Sequence, residues 1–312
     1  MDRVNIVVIG ACNFDIYATS SAALINADSN PGQVFTTPGG VGRNIAENLA
    51  RLGCKTKMLT ALGQDTFADA IIRNAEKTGI DLSDALRLPH LSTSVYVCIN
   101  KPDGDIEVAV SDMKICDEIT ADYLCGNAQH LNSAGILVAE TNLTPEALLE
   151  LWKGYRAKLC IDCVSVAKSE KLRPVLNGLY CLKANRGEAS AITGLPVTTE
   201  AEARLAAEKL HRLGVRYVII TLGEDGALLS DGTQMHSMPL MPGETRNTSG
   251  CGDAFFAGAI VALVQQREPK QILRSGLAMA RLCAESGNAV SPVISRELLE
   301  ETIQTYQGGL WQ

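Results

Sequence analysis

No apolar run in these 312 residues approaches the roughly 20 that a membrane-spanning helix needs. Residues 4–12 are apolar but too few, and Asp2-Arg3 ahead of them is a poor signal-peptide n-region, so the stretch reads as a buried first strand. A cytoplasmic protein with no membrane partner is expected. An excess of positive charge is also missing. Lys and Arg number 28 against 35 Asp and Glu, a net charge of −7, which argues against a broad nucleic-acid footprint while leaving room for a local basic pocket. Histidines are few, at 90, 130, 211 and 236, and no two have metal-ligand spacing. Gly-x-Ser-x-Gly is absent, which with the histidines removes metalloprotease and Ser-triad readings. Ten cysteines are scattered without a framework of short spacings, and the one CxxC, Cys160 and Cys163, has no second pair to complete a zinc site, so these read as small buried hydrophobes. There is no GxxxxGK[ST]. Two Gly-rich turns fail the dinucleotide fingerprint, at Ile45 and at Phe255. Linker-like segments, low-complexity stretches and internal repeats are missing as well.

What remains is an ordinary soluble composition, 46% hydrophobic and 20% charged, in a chain long enough for one large domain. Residues 4–10 form a near-continuous apolar strand, the pattern of a sheet covered on both faces. Residues 14–18 and 33–37 alternate and read as strands outside the main sheet. So do 94–100 and 106–110, with Asp103-Gly104 as a hairpin turn between them. A helix is expected over 40–52, with Ile45, Leu49 and Leu52 on one face and Gly53 as its stop. A strand over 57–62 and a helix over 66–77 follow. From residue 119 strands and helices are expected to alternate strictly, with strands at 136–139, 159–162, 180–183, 217–221 and 227–230. Thr144-Pro145 caps one helix, Thr199 with Glu202 makes a capping box for another, and later helices span about 252–265, 270–285 and 295–306. The expected fold class is α/β, a doubly wound and mostly parallel sheet with helices on both faces, plus a small β-sheet lid from about 14–37 and 92–113 within a single 1–312 domain.

Ligands in such sheets bind beyond the carboxyl ends of the strands. That rule selects 10–15, Glu140, Asp162, 185–188 and 221–226. Asn13 and Asp15, two apart on a strand, face one way and suit sugar hydroxyls. Three glycines in 39–42, followed by Asn44, exceed what a turn needs and suggest contact with a ligand. Asn185 and Glu188 read either as a helix cap or as holders of a hydrated Mg²⁺. The sharpest stretch runs from Asn247 to Gly258, where a small-residue loop enters an apolar helix. Gly250 and Gly252 let backbone N–H groups approach an anion at a helix start. Asp253 is then either a dipole-stabilising cap or a proton acceptor.

Residues 38–53, 185–188, 221–226 and 248–253, in this order, resemble the ribokinase family of carbohydrate kinases over nearly the whole chain. The Gly-Gly…Asn turn and the Gly-x-Gly-Asp loop are the specific motifs. Departures are Cys251 where alanine is usual and Cys163 where proline often follows the Asp. The resemblance implies an enzyme that transfers the γ-phosphate of ATP to a sugar hydroxyl, with Asp253 as base and the N–H groups of Gly250, Cys251 and Gly252 as an anion hole. It places Asn185 and Glu188 at Mg²⁺ and the phosphates, with Thr221, Gly223, Gly226 and Asn288 along the nucleotide. Asn13, Asp15, Gly40, Gly42, Asn44 and Glu140 would hold the sugar, and Asp28, Asn30, Thr93, Asp112 and Lys168 the base and lid side. A K⁺ site at Thr245 and Ser291 and a homodimer through the lid are also implied. Residues 27–32, 35–46, 111–113 and 164–168 further resemble nucleoside-phosphorylating members. The implied acceptor is then the 5′-hydroxyl of pseudouridine, with another ribonucleoside or a ribose-type sugar as alternative. A non-catalytic nucleoside- or sugar-sensing relative is the less favoured reading.

Overall fold

A computed structural model describes residues 5–102 and 105–307. Val4 and the expected Asp103-Gly104 turn lie outside them. The strands are β1 (Asn5–Ile9), β2 (Asn13–Ser20), β3 (Gly32–Gly39), β4 (Lys55–Leu59), β5 (Ala61–Gly63), β6 (Ile80–Asp81), β7 (Leu86–Leu88), β8 (Ser94–Asn100), β9 (Ile106–Asp112), β10 (Ile136–Glu140), β11 (Lys158–Asp162), β12 (Cys181–Asn185), β13 (Tyr217–Thr221), β14 (Ala227–Ser230) and β15 (Met235–Met238). Among the described residues nine form the main sheet in the order β15-β14-β13-β12-β11-β10-β1-β4-β6. Its pairs are parallel from β6 to β13 and antiparallel over β13-β14-β15.

The apolar runs of these strands serve two cores at once. Ile6 and Val8 of β1 point into one core, with Ile45 and Leu49 of helix Val41–Arg51 and the buried helices Cys251–Val264 and Pro269–Ala284. Val7 and Ile9 point into the other, with Leu148 and Leu151 of helix Pro145–Gly154 and Ala203, Ala206 and Leu210 of helix Glu200–Arg212. Alternation sends successive side chains to opposite faces, so a strand covered on both sides must be apolar throughout. The CxxC pair obeys the same logic, since Cys160 packs in the first core and Cys163 in the second. Thr144 caps its helix through Ala147 N–H, and Thr199 and Glu202 form the expected capping box.

Two expectations fail. The 57–62 run is not one strand. It leaves the main sheet at Thr60, whose carbonyl accepts from Leu86 N–H at 2.9 Å, and continues as β5 against β7. The strict strand–helix alternation ends at β13, where two short connections return the chain antiparallel, and β15 is a strand the pattern did not show.

A second, four-stranded sheet has the order β3-β2-β8-β9. It is rooted where β2 and β3 meet the body, with Asn13 opposite Gly39, and it ends at Ser20 opposite Gly32. The β9 strand is exposed throughout.

Candidate functional site

The carboxyl ends of β1, β10, β11 and β12 are neighbours, so the residues just beyond them share one edge of the sheet. Onto that edge comes the amino end of helix Cys251–Val264. Its N-cap is Gly250 in the left-handed conformation at φ 78°, where a Cβ would run into the carbonyl of Ala289. Asp253 makes no capping bond. It is buried, and its Oδ2 accepts from Asn44 Nδ2 at 2.8 Å. Burial pushes its carboxyl up to about 7, Asp162 pushes the same way, and Lys183 and Asn44 pull against them. Gly250 holds the cap position, so Asp253 is not the cap, and as the acid in the first turn it keeps both the dipole-stabilising and the proton-accepting readings.

Lys183 was missed by sequence reasoning. Its Nζ lies 2.9 Å from Asp162 Oδ2, both groups buried, and a Cβ placed on Gly252 would stand 2.9 Å from that nitrogen. The ammonium therefore sits directly beneath the glycine loop. Burial works against its charge, yet Asp162, Asp253 and Glu188 together hold its proton more tightly than usual. A lysine set between the apolar Leu182 and Ala184 of strand Cys181–Asn185 was the available clue. Arg43 was also missed. Buried beside Asn44, it donates to Asn44 Oδ1 and to Glu47.

The expected sugar residues meet at the root of the small sheet. Asn13 Nδ2 donates to Asp15 Oδ1, and Tyr17 O–H donates to Asp15 Oδ2 at 3.2 Å. Burial pushes the Asp15 carboxyl up to about 6. Gly40 has φ 100°, and a Cβ there would lie 2.6 Å from Ala11 O and 2.7 Å from Asn13 Oδ1. Gly42 packs against the same end of the chain, 3.1 Å from Ala11 O by the same measure. The glycines thus let the turn seat on residues 10–15. Gly40→Ala should cost about 1–3 kcal/mol of stability through backbone strain, read from urea denaturation. Unchanged stability would remove the steric argument.

Glu140 is wholly buried, and burial raises its pKa. Its Oε1 accepts from Ala11 N–H at 2.5 Å, and Oε2 accepts from the backbone and side-chain N–H of Asn142 at 2.6 and 2.7 Å. Lys168 Nζ donates to Asn142 Oδ1, so Lys168 connects to Glu140 through Asn142. The carboxylate thus braces the 10–13 loop.

Other expected residues lie apart. Asp28 and Asn30 sit in the loop joining Ser20 to Gly32, at the far end of the hairpin from Asn13. Seven residues of strand separate the two ends, about 23 Å at the usual rise. Asn30 there ties its own loop, accepting from Ile25 N–H and donating to the carbonyls of Ile25 and Asp28. The loop's end of the hairpin follows from strand register, which the residues alone did not reveal. Thr93 is buried, accepting from Gly63 N–H at 3.0 Å and donating to Asp65 Oδ1 at 2.8 Å, a clasp within the body. Asp112 is exposed at the root end of β9, opposite Val95.

On the other flank, Asn185 and Glu188 form a reciprocal capping box at 2.9 and 2.7 Å. Burial raises the Glu188 pKa. Asn185 lies opposite Thr221 across β12 and β13. The turn after Thr221 carries Gly223 at φ 65° and Gly226 at φ 92°, and Arg186 joins it to the cap through Leu222 O and Asp225. Asn288 is exposed, its N–H donating to Ser286 Oγ at 3.2 Å. Thr245 is exposed and Ser291 buried. Among the described residues no cluster of three His, Cys, Asp or Glu could hold a metal by itself, and no helix is long and apolar enough to cross a membrane.

The arrangement puts a buried carboxylate with raised proton affinity at a glycine-capped helix start, beside a buried cation and near the polar root of the small sheet, with Cys251 N–H in that turn donating to Thr248 O at 3.3 Å. Residues 3–296 match the profile described as pfkB family carbohydrate kinase. The chain is 35% identical to the pseudouridine kinase of Escherichia coli strain K12, over 81% of this chain and 82% of that protein. It is 24% identical to the guanosine-inosine kinase of Exiguobacterium acetylicum, over 92% and 97%. The structure of Arabidopsis thaliana ribokinase complexed with ribose and ATP superposes with a TM-score of 0.85 at 23% identity, covering 96% of this chain and 99% of that one.

Proposed function

Because the chain belongs to the pfkB family of carbohydrate kinases, we propose that it transfers the γ-phosphate of ATP to the 5′-hydroxyl of a nucleoside, pseudouridine foremost. The observation that carries this is Asp253, buried at the start of a helix, uncapped, and with its proton affinity near neutrality. As the hydroxyl oxygen attacks the γ-phosphorus, its proton passes to Asp253 and the bond to ADP breaks. Backbone N–H groups of Gly250, Cys251 and Gly252 meet the charge of the moving phosphoryl, and phosphoryl transfer needs chiefly such positioning and neutralisation. Asn44 holds Asp253 in place. Asn13 and Asp15 take the ribose hydroxyls, with Glu140 shaping the 10–13 loop beneath them. Thr221, Gly223, Gly226 and Asn288 lie along the nucleotide. Mg²⁺, when bound, neutralises phosphate charge. Asn185 and Glu188 would hold the ion through its waters, Glu188 Oε2 being already engaged by Asn185 N–H, which suits an ion that retains most of its waters. K⁺ near Thr245 and Ser291 belongs to the same reading. The four-stranded sheet serves as the lid of a single 1–312 domain.

An ATP-coupled assay over pseudouridine, uridine, adenosine, cytidine and ribose tests the acceptor. Pseudouridine should give the highest kcat/KM, and uridine turned over equally well or better would overturn that choice in favour of another nucleoside or ribose. No turnover of any acceptor would favour a sensing role, against which stand Asp253, Gly250 and Gly252. With Asp253 as base, kcat/KM should rise with pH through an apparent pKa near 7, because the protonated carboxyl cannot accept the hydroxyl proton. A flat profile from about pH 5 to about pH 9 would exclude that role.

A homodimer through the lid is part of the proposal. Val34, Phe35, Ile106, Val108 and Val110 are 49–69% exposed, and Val108 and Val110 share one face of β9. Val108→Glu should convert a dimer to a monomer in light scattering. A monomeric wild type contradicts it.

A further inference from the structure

The turn at the start of the buried helix contains one thiol, and a second stands behind it. Cys251, the first residue of helix Cys251–Val264, is half-buried with its Sγ 3.6 Å from Asn247 O. Cys283, near the end of helix Pro269–Ala284, is wholly buried, its Sγ 3.5 Å from Ser249 O and 3.3 Å from Ala289 O. Only Gly250 separates Ser249 from Cys251, and Gly250 is itself wedged against Ala289. Both thiols therefore contact the same tight turn. A hydrogen bond from Cys283 holds the Cys251 thiol below its usual range, with Arg281 adding to the effect, while the same contact and burial raise Cys283. A half-buried thiol that solvent can reach beside a wholly buried one is the pattern of an attacking and a resolving cysteine.

We propose that Cys251 and Cys283 form a peroxide-sensitive dithiol that closes to a disulfide and switches phosphoryl transfer off. The Cys251 sulfur attacks the O–O bond of hydrogen peroxide and becomes a sulfenic acid, and the other oxygen leaves as water. The Cys283 sulfur then attacks Cys251, and the displaced hydroxide takes the Cys283 proton and leaves as a second water. The two thiols lose two electrons and the peroxide gains them. The link ties the first turn of the buried helix to the neighbouring helix and withdraws the Gly250–Gly252 N–H groups from a transferring phosphoryl. Only the activity arm of this inference rests on the kinase reading; the covalent arm does not.

The test is peroxide treatment of the full chain, alkylation of remaining thiols, and non-reducing tryptic mass spectrometry. Cleavage after Arg246, Arg267, Arg281 and Arg296 leaves residues 247–267 and 282–296, each with one of the two cysteines and no other. The expected result is those peptides joined with the loss of two hydrogens, together with a fall in rate of about 10²-fold that dithiothreitol reverses. Cys283→Ala should keep the basal rate, form no joined pair and lose the dithiothreitol-reversible inactivation. Unlinked peptides after inactivation, or linked peptides with full activity, would overturn the proposal, and the wild-type peptide map decides this even if the variant misfolds. Linked peptides in a protein inactive on every acceptor before oxidation would support the dithiol and sink the kinase reading.

Discussion

Asp253→Asn lowers kcat by ~10²–10⁴-fold while leaving the nucleoside KM within a few-fold, since the amide keeps the shape of the site but accepts no proton. Asn44 Nδ2 still finds an oxygen, so the loss belongs to the chemical step. Steady-state kinetics with the preferred nucleoside measure it, and a variant as fast as wild type removes the base from the mechanism. The same substitution has an opposite effect on stability. The folded protein holds the Asp253 proton to about 7 against an ordinary value of 3.8. Between those values the folded state binds the proton more tightly than the unfolded chain, so stability falls as pH rises from about 4 to about 7. At pH above that window the Asn variant should melt higher than wild type. A lower melting temperature would show that the buried carboxylate carries no such burden.

Lys183→Met should destabilise the protein by ~3–5 kcal/mol, the cost of leaving a buried charge without its partner. Asp162 is 1% exposed and would face Asp253 and Glu188 with no ammonium among them. Two consequences separate this from ordinary core damage. Asp253 loses a group that pulls its pKa down, so the rising limb of the rate profile moves to higher pH. The double variant Lys183→Met with Asp162→Leu recovers most of the stability, because an apolar pair of similar volume often matches a buried ion pair. Chemical denaturation of the single and double variants tests the first part and a pH profile the second. A single variant as stable as wild type would contradict the argument.

The sheet was largely legible because the parallel strands are covered on both faces and must be apolar residue after residue, as in β1 and β13. Helix starts at Thr144 and Thr199 were legible because side-chain caps act within four residues. What failed depends on partners far along the chain. Thr60 ends β4 because Leu86 claims its carbonyl, and no local pattern announces that. That the loop of Asp28 and Asn30 stands at the tip of the hairpin likewise follows from strand register and not from any local pattern. Lys183 was the reverse case. Its position in an apolar strand was visible, and only the fold reveals that Asp162 and the Gly252 loop surround it. For Asp253 the local chemistry allowed several readings, and the backbone of Gly250 removed only that of the cap.

The small sheet joins the body at Asn13 and Gly39, and the same two strands run out to Ser20 and Gly32. Its anchorage and the polar cluster of Asn13 and Asp15 are one place. Mechanically this is a lever with its fulcrum at that polar cluster. A rotation of about 10° at the root sweeps the tip, about 23 Å away, through about 4 Å. On the proposed reading, small adjustments of Asn13, Asp15 and Gly40 around a hydroxyl would be geared up into displacement of the loop that carries Asp28 and Asn30, and a load on that loop would be geared down into force on the root.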